Sequence, residues 1–133
     1  MIESGSVPPS QKDETTALAL TLGRLAQERQ AEDMVLLDVR EFCSYTDFML
    51  ILSGRSSRQV QSLADHILRQ AKKLGFKPVG REGVGQGRWV LLDYGPVVIH
   101  LFLEETRVYY DLEGLWSEAP KFEWSETGQP PRL

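Results

Sequence analysis

The apolar positions change period several times along this chain, and each change predicts an element. Residues 1–12 include Val-Pro-Pro-Ser and carry no apolar period, so they are expected to be a disordered lead. Asp13 then offers an N-cap with Glu14 in the first turn. Leu18, Leu22 and Leu25 recur at helical spacing, which predicts a helix over about 14–31. MVLLDV (34–39) and DFMLILSG (47–54) are continuous apolar runs of strand length, too apolar to be half exposed, and read as central strands. After Gly54, Val60, Leu63, Ala64, Ile67, Leu68, Ala71 and Leu74 form one helical face. Ser56 or Ser57 caps that helix, Lys72 and Lys73 complement the dipole of its last turn, and Gly75 ends it.

FKPVGREGVGQGR reads as a short edge strand and a glycine-rich loop. WVLLDYGPVVIHLF (89–102) reads as a buried hairpin, and EETRVYYDLEGLW as a short helix around 105–114. From Ser117 the chain turns polar, with Gly128, Pro130 and Pro131, and is expected to fray. The order is helix, strand, strand, helix, edge strand, strand, strand, helix. It predicts a single α/β domain over 13–118 with a flexible tail over 119–133. A crossover through 47–92 and an antiparallel hairpin together imply a mixed sheet of about five strands with helices packed on it.

The hairpin has two unlike faces. With Tyr94-Gly95 as a two-residue turn, Leu92 would pair with Val97 and Trp89 with His100. Alternation then puts Val90, Leu92, Val97, Ile99, Leu101 and Leu103 on one face, all aliphatic and suited to lie under helices. The other face holds Trp89, Leu91, Asp93, Val98, His100 and Phe102. Ionisable groups buried there without partners would cost about 1–3 kcal/mol each. Either these residues partner one another under a covering segment, or the face meets water and a binding partner.

Composition narrows the class. A chain of 133 residues supports one domain with a real core, and no apolar run reaches the roughly 18 residues of a membrane span. The start shows no secretory or Arg- and Ser-rich leader pattern, and the single cysteine, Cys43, allows no disulfide within the chain. Both point to a reducing, cytoplasmic setting. The net charge of −4 argues against general nucleic-acid binding, yet it is unevenly spread: residues 55–88 hold 8 basic and 2 acidic groups, and residues 89–126 hold 2 basic and 8 acidic.

Catalytic signals are weak. His66 sits in a polar stretch of the second helix, and HExxH, CxxC and His–Cys clusters are missing, so no metal or cofactor is expected. Gly54-Arg55-Ser56-Ser57 lacks the second glycine of a nucleophile elbow. Strand, Gly54, serines and helix, with Arg55 and Arg58 nearby, offer a possible anion site, and Asp38 and Asp47 flank the strand connection. This leaves open a nucleotide-binding or nucleotidyl-transfer enzyme built on Gly54–Arg58. There is no Walker A motif and no close D-x-D pair.

DMVLLDVREFCSYTDFMLILSGRSSRQVQSLADHI, then REG, then RWVLLDYGPVVIHLFLEETRVYYDLEGLW together resemble the ribosomal silencing factor family, also called Iojap-like, over about residues 14–118. The resemblance implies a mixed sheet with helices, similar to the nucleotidyltransferase fold without its catalytic carboxylates, and no enzyme activity. It implies binding to the large ribosomal subunit through ribosomal protein fourteen, obstruction of small-subunit joining, repression of translation under nutrient limitation, and a homodimer in isolation. No membrane and no sequence-specific nucleic acid is implied as a partner. Carried onto this sequence, the docking surface involves Trp89, Asp93 and the hairpin-tip Tyr94, where the family often has leucine. Glu82 and Gly83 frame it, and His100 orients or accompanies the tryptophan. Arg107 and Tyr110 match the family's following helix, with structural roles implied.

Overall fold

The computed structural model describes the backbone of residues 9–133 and the side chains of residues 14–133. Helix α1 spans Pro9–Gln27, β1 Glu32–Asp38, β2 Phe48–Gly54, α2 Ser57–Lys73, β3 Gly80–Glu82, β4 Trp89–Asp93, β5 Val97–Leu103, α3 Glu104–Tyr110, α4 Leu112–Leu115 and β6 Lys121–Glu123. The six strands form one sheet in the order β3-β4-β5-β2-β1-β6. Only β2 and β5 run parallel; the other neighbours are antiparallel. The fold is therefore the mixed α/β sheet expected, with one strand more.

Local chemistry accounts for the element ends. The Ser56 hydroxyl caps α2 by accepting from the Gln59 N–H at 3.1 Å. Gly75 takes the left-handed backbone (φ 94°) that closes the helix, as glycine does readily. Helix α1 begins at Pro9, before the predicted Asp13 cap, so residues 9–12 of the expected disordered lead are helical. The rest of that lead lies outside the described residues.

The predicted helix over 105–114 is broken in two. Asp111 adopts a left-handed conformation (φ 44°), and its carboxylate accepts from the Gly114 N–H at 3.1 Å, which starts α4 afresh.

Helices α1 and α2 cover one face of the sheet. Leu22, Leu36, Leu50, Leu63, Ile67, Leu92, Ile99 and Leu101 are fully buried between them. At about 1.5–3 kcal/mol for each large aliphatic side chain, this layer is the main source of stability. A second, smaller core lies on the opposite face, where Val35, Leu37, Met49, Ile51 and Phe102 meet Leu112, Trp116 and Ala119.

The chain after residue 118 does not follow the expectation of a flexible tail. Strand β6 pairs with β1, and Trp124 is buried in the main core against α1. A Cβ on Gly23 would lie 2.2 Å from the Trp124 ring, so the absence of a side chain at Gly23 makes the seat for that indole.

Candidate functional site

The β4–β5 hairpin keeps its two faces but not its predicted register. Asp93 pairs with Val98, Leu91 with His100 and Trp89 with Phe102. The expected pairing is displaced by two residues, and a two-residue displacement leaves every side chain on its own face. The alternation continues one step past the last pair, so Tyr94 follows Val90 and Leu92 into the main core. It is not an exposed tip residue: it is 7 % exposed and its hydroxyl has no hydrogen-bond partner. Burial pushes that hydroxyl's pKa up to about 12. The turn is held by the Asp93 carboxylate, which accepts from the Gly95 N–H at 2.8 Å. The tip is tied to the segment before β2 by Thr46, whose hydroxyl donates to the Gly95 carbonyl at 3.0 Å.

Trp89 sits at the boundary between the covered and open parts of the opposite face. Its ring packs against Phe102 (centroids 4.9 Å apart) and Tyr110 (4.8 Å). Its Nε1–H donates to Nδ1 of His100 at 3.0 Å. His100 is only 5 % exposed, so it is an interior residue rather than a contact residue. Burial lowers its pKa to about 4, which keeps the ring neutral at physiological pH. The hydrogen bond from Trp89 puts the ring proton on Nε2, a buried atom with no hydrogen-bond partner.

Towards the β3 edge the same face is open. Glu82 pairs across from Leu91, so its exposed carboxylate lies on that face beside the half-buried Leu91. Gly83 serves the backbone: its φ is 79°, and a Cβ there would lie 2.1 Å from the Trp89 carbonyl oxygen. Tyr110 is 55 % exposed and Tyr109 80 %, and the two rings meet edge to face at 5.0 Å. The pKa of the Tyr45 hydroxyl is raised by partial burial, then by Cys43 and by Asp93, which places this exposed ring within electrostatic reach of the hairpin tip.

The result is a strip of aromatic and aliphatic groups, Trp89, Leu91, Tyr109 and Tyr110, with the carboxylates of Glu82 and Asp93 beside its Leu91 end. Residue-by-residue reading did not single out Leu91, Tyr109 or Tyr45 as site members. Leu91 was legible from its place between Trp89 and Asp93 in the strand alternation, whereas the tyrosines depend on how the flanking segments fold back.

Other polar groups hold the fold together. Arg107 is buried on this face and fastens α3 to the sheet. It donates to Glu113 at 2.8 Å, to the Asp33 carbonyl at 2.8 Å and to the Ser53 hydroxyl at 2.7 Å. Its hydrogen bond, ahead of its charge, lowers the pKa of Glu113. At the Gly54–Arg58 turn, the Gln59 side chain accepts from the Arg55 N–H, Ser56 caps α2, and Arg55 pairs with Glu32. Asp38 pairs with Arg40 at 2.6 Å. His66 lies between Glu28 (2.9 Å) and Arg29 (3.3 Å) at the α1–α2 contact. Among the described residues no cluster of His, Cys, Asp and Glu is arranged to hold a metal ion.

The structure is thus a single α/β domain with a partly exposed aromatic strip on one face of its sheet. The chain belongs to the ribosomal silencing factor family: the profile described as "Ribosomal silencing factor during starvation" matches residues 12–132. It is 41% identical over 96 residues to the ribosomal silencing factor RsfS of Halalkalibacterium halodurans, covering 72% of this chain and 82% of that one. A mouse protein named for mitochondrial assembly of the ribosomal large subunit is 34% identical over 96 residues, 70% of this chain and 42% of that protein. A crystal structure of a Chromobacterium violaceum protein superposes with a TM-score of 0.71 at 34% identity, covering 91% of this chain and 90% of that one.

Proposed function

We propose that this protein is a non-enzymatic, cytoplasmic silencing factor. It docks on the large ribosomal subunit through ribosomal protein fourteen, hinders joining of the small subunit, and lowers translation when nutrients are short. In isolation it forms a homodimer. The observation that carries this proposal is the partly exposed strip of Trp89, Leu91 and Tyr110, with Glu82 and Asp93 beside Leu91. Rigid aromatic rings supply contact area at little entropic cost, and flanking carboxylates suit a basic ribosomal protein. Family membership supports ribosome association, and the name of the mouse relative supports the large subunit.

Trp89, Leu91, Tyr110, Asp93 and Glu82 are the proposed contact residues, with Gly83 shaping the loop beside them. His100 and Tyr94 are interior and act only through the residues they support. The nucleotide-enzyme alternative has less support, because the Gly54–Arg58 turn spends its Ser56 and Arg55 groups on the protein's own structure.

The test is sedimentation of purified protein with large subunits, before and after small subunits are added. The protein is expected to travel with the large subunit and to suppress coupled particles. Trp89→Ala, checked for folding by circular dichroism, is expected to bind about 30-fold more weakly, or roughly 2 kcal/mol. Normal coupling with the protein left at the top of the gradient would refute the proposal.

A further inference from the structure

The cations of α2 are not spread around the helix. At 100° per residue, Arg58, Arg69, Lys72 and Lys73 fall within an arc of about 100°, opposite the buried face of Val60, Leu63 and Ile67. The stripe runs about 22 Å along the axis. All four side chains are exposed. Asp65 is the one acidic residue among them, and it pairs with Arg69 at 3.1 Å. Arg58, Lys72 and Lys73 form no ion pair with any described residue. Beyond the helix end, Lys77 extends the stripe, and Phe76 stands exposed among the lysines. This surface lies on the α1/α2 side of the sheet, away from the Trp89 strip.

Eight cations against two acidic groups in residues 55–88 of a net acidic protein make a local positive field that the total charge conceals. Their linear arrangement follows a phosphate backbone better than it fits a compact protein hot spot, which would need a packed apolar anchor at its centre. An exposed phenylalanine between cations adds a stacking platform for an unpaired base.

We propose that the outer stripe of α2 and the turn after it hold an RNA backbone, without sequence preference. On the ribosome-binding function proposed above, on which this inference rests for the source of the RNA, the protein would then meet the large subunit on RNA as well as on protein.

The experiment measures fluorescence anisotropy of a labelled single-stranded 20-nucleotide RNA with full-length protein over a range of salt concentrations. It compares the parent, Arg58→Glu/Arg69→Glu/Lys72→Glu/Lys73→Glu, and Trp89→Ala. The parent is expected to bind with a steep salt dependence. The four-fold variant is expected to lose binding by at least 100-fold at low salt, and Trp89→Ala to match the parent. A milder variant with glutamine at the same four positions is expected to lower the slope of log K against log salt by about 3, from roughly 0.7 per phosphate contact. All four side chains are exposed, and circular dichroism checks that both variants fold. Absence of RNA binding by the parent at low salt, or unchanged binding by the folded variants, overturns the inference. So does a result in which the substitutions alter only self-association, which would make the stripe a contact between copies. Because the RNA is free of ribosomal protein, failure here leaves the Trp89 docking proposal standing. Failure of Trp89→Ala to weaken large-subunit binding leaves this inference standing.

Discussion

The indole N–H of Trp89 is hydrogen-bonded to Nδ1 of His100 at 3.0 Å, and this bond, with the packing of the ring on Phe102, joins the strip to the interior of the sheet. The histidine must stay neutral to accept it. Its pKa in the folded protein is lowered to about 4 by burial, against an ordinary value near 6.5. The proton is therefore bound more readily by the unfolded chain. The stability linked to His100 is fully present above about pH 6.5, declines as pH falls, and is lost through pH 4. The total is up to about 3 kcal/mol. Urea unfolding between pH 4 and 8 should show this decline. His100→Asn, which retains an acceptor but does not titrate, should flatten it in that window. An equal slope in parent and variant would show that other groups govern the acid limb.

Tyr94 makes a different prediction, because its buried hydroxyl has no hydrogen-bond partner. Removing an unsatisfied polar atom while keeping the ring restores an apolar contact. Tyr94→Phe should raise stability by about 1 kcal/mol, read as a higher urea midpoint with an unchanged m-value. It should leave large-subunit binding unchanged. A destabilised Tyr94→Phe would mean that the hydroxyl is satisfied after all, and a binding defect would mean that Tyr94 reaches the partner.

Gly23 and Trp124 form a lock-and-seat pair between α1 and the segment after β6. Trp124→Ala should cost about 3 kcal/mol through the cavity it leaves. Gly23→Ala should also destabilise the parent, since its Cβ would meet the indole at 2.2 Å. In the Trp124→Ala background the sign should reverse, and Gly23→Ala should stabilise by up to about 1 kcal/mol through helix propensity. Thermal or urea unfolding of the four proteins closes this cycle. Simple additivity would contradict the packing described.

These residues also show what the sequence disclosed and what it withheld. The strands, α2 with its Ser56 cap and Gly75 stop, and the two faces of the hairpin follow from periodicity and local chemistry. The faces survived a misplaced turn because moving it by one residue shifts the register by two, and strand alternation has a period of two. Tyr94 was misplaced because the turn sits one residue later, on Gly95-Pro96, with the Tyr94 N–H donating to the Val97 carbonyl at 2.9 Å; the alternation then includes Tyr94 and sends its ring inward. Strand β6 is three residues long in a polar stretch and exists because β1 offers it an edge, and Trp124 is held by a glycine a hundred residues away. No local window contains either fact. The split at Asp111 depends on a left-handed aspartate, which the helical pattern over 105–114 conceals. The tyrosines beside the Trp89 strip were visible as residues, but their grouping is tertiary.

The central claim is that the Trp89–Leu91 strip, and not a nucleotide site at the Gly54–Arg58 turn, is the protein-docking surface for the large subunit. Leu91 tests it most directly, because it is half-buried on the strip and its aliphatic side chain makes no polar contact that holds the fold. The decisive measurement is the equilibrium affinity of Leu91→Arg for purified large subunits, alongside the parent and Ser57→Ala as a control at the turn. The account predicts a loss of at least ten-fold for Leu91→Arg, with its urea midpoint close to the parent's, and parent-like binding for Ser57→Ala. Parent-like affinity for a folded Leu91→Arg would contradict it.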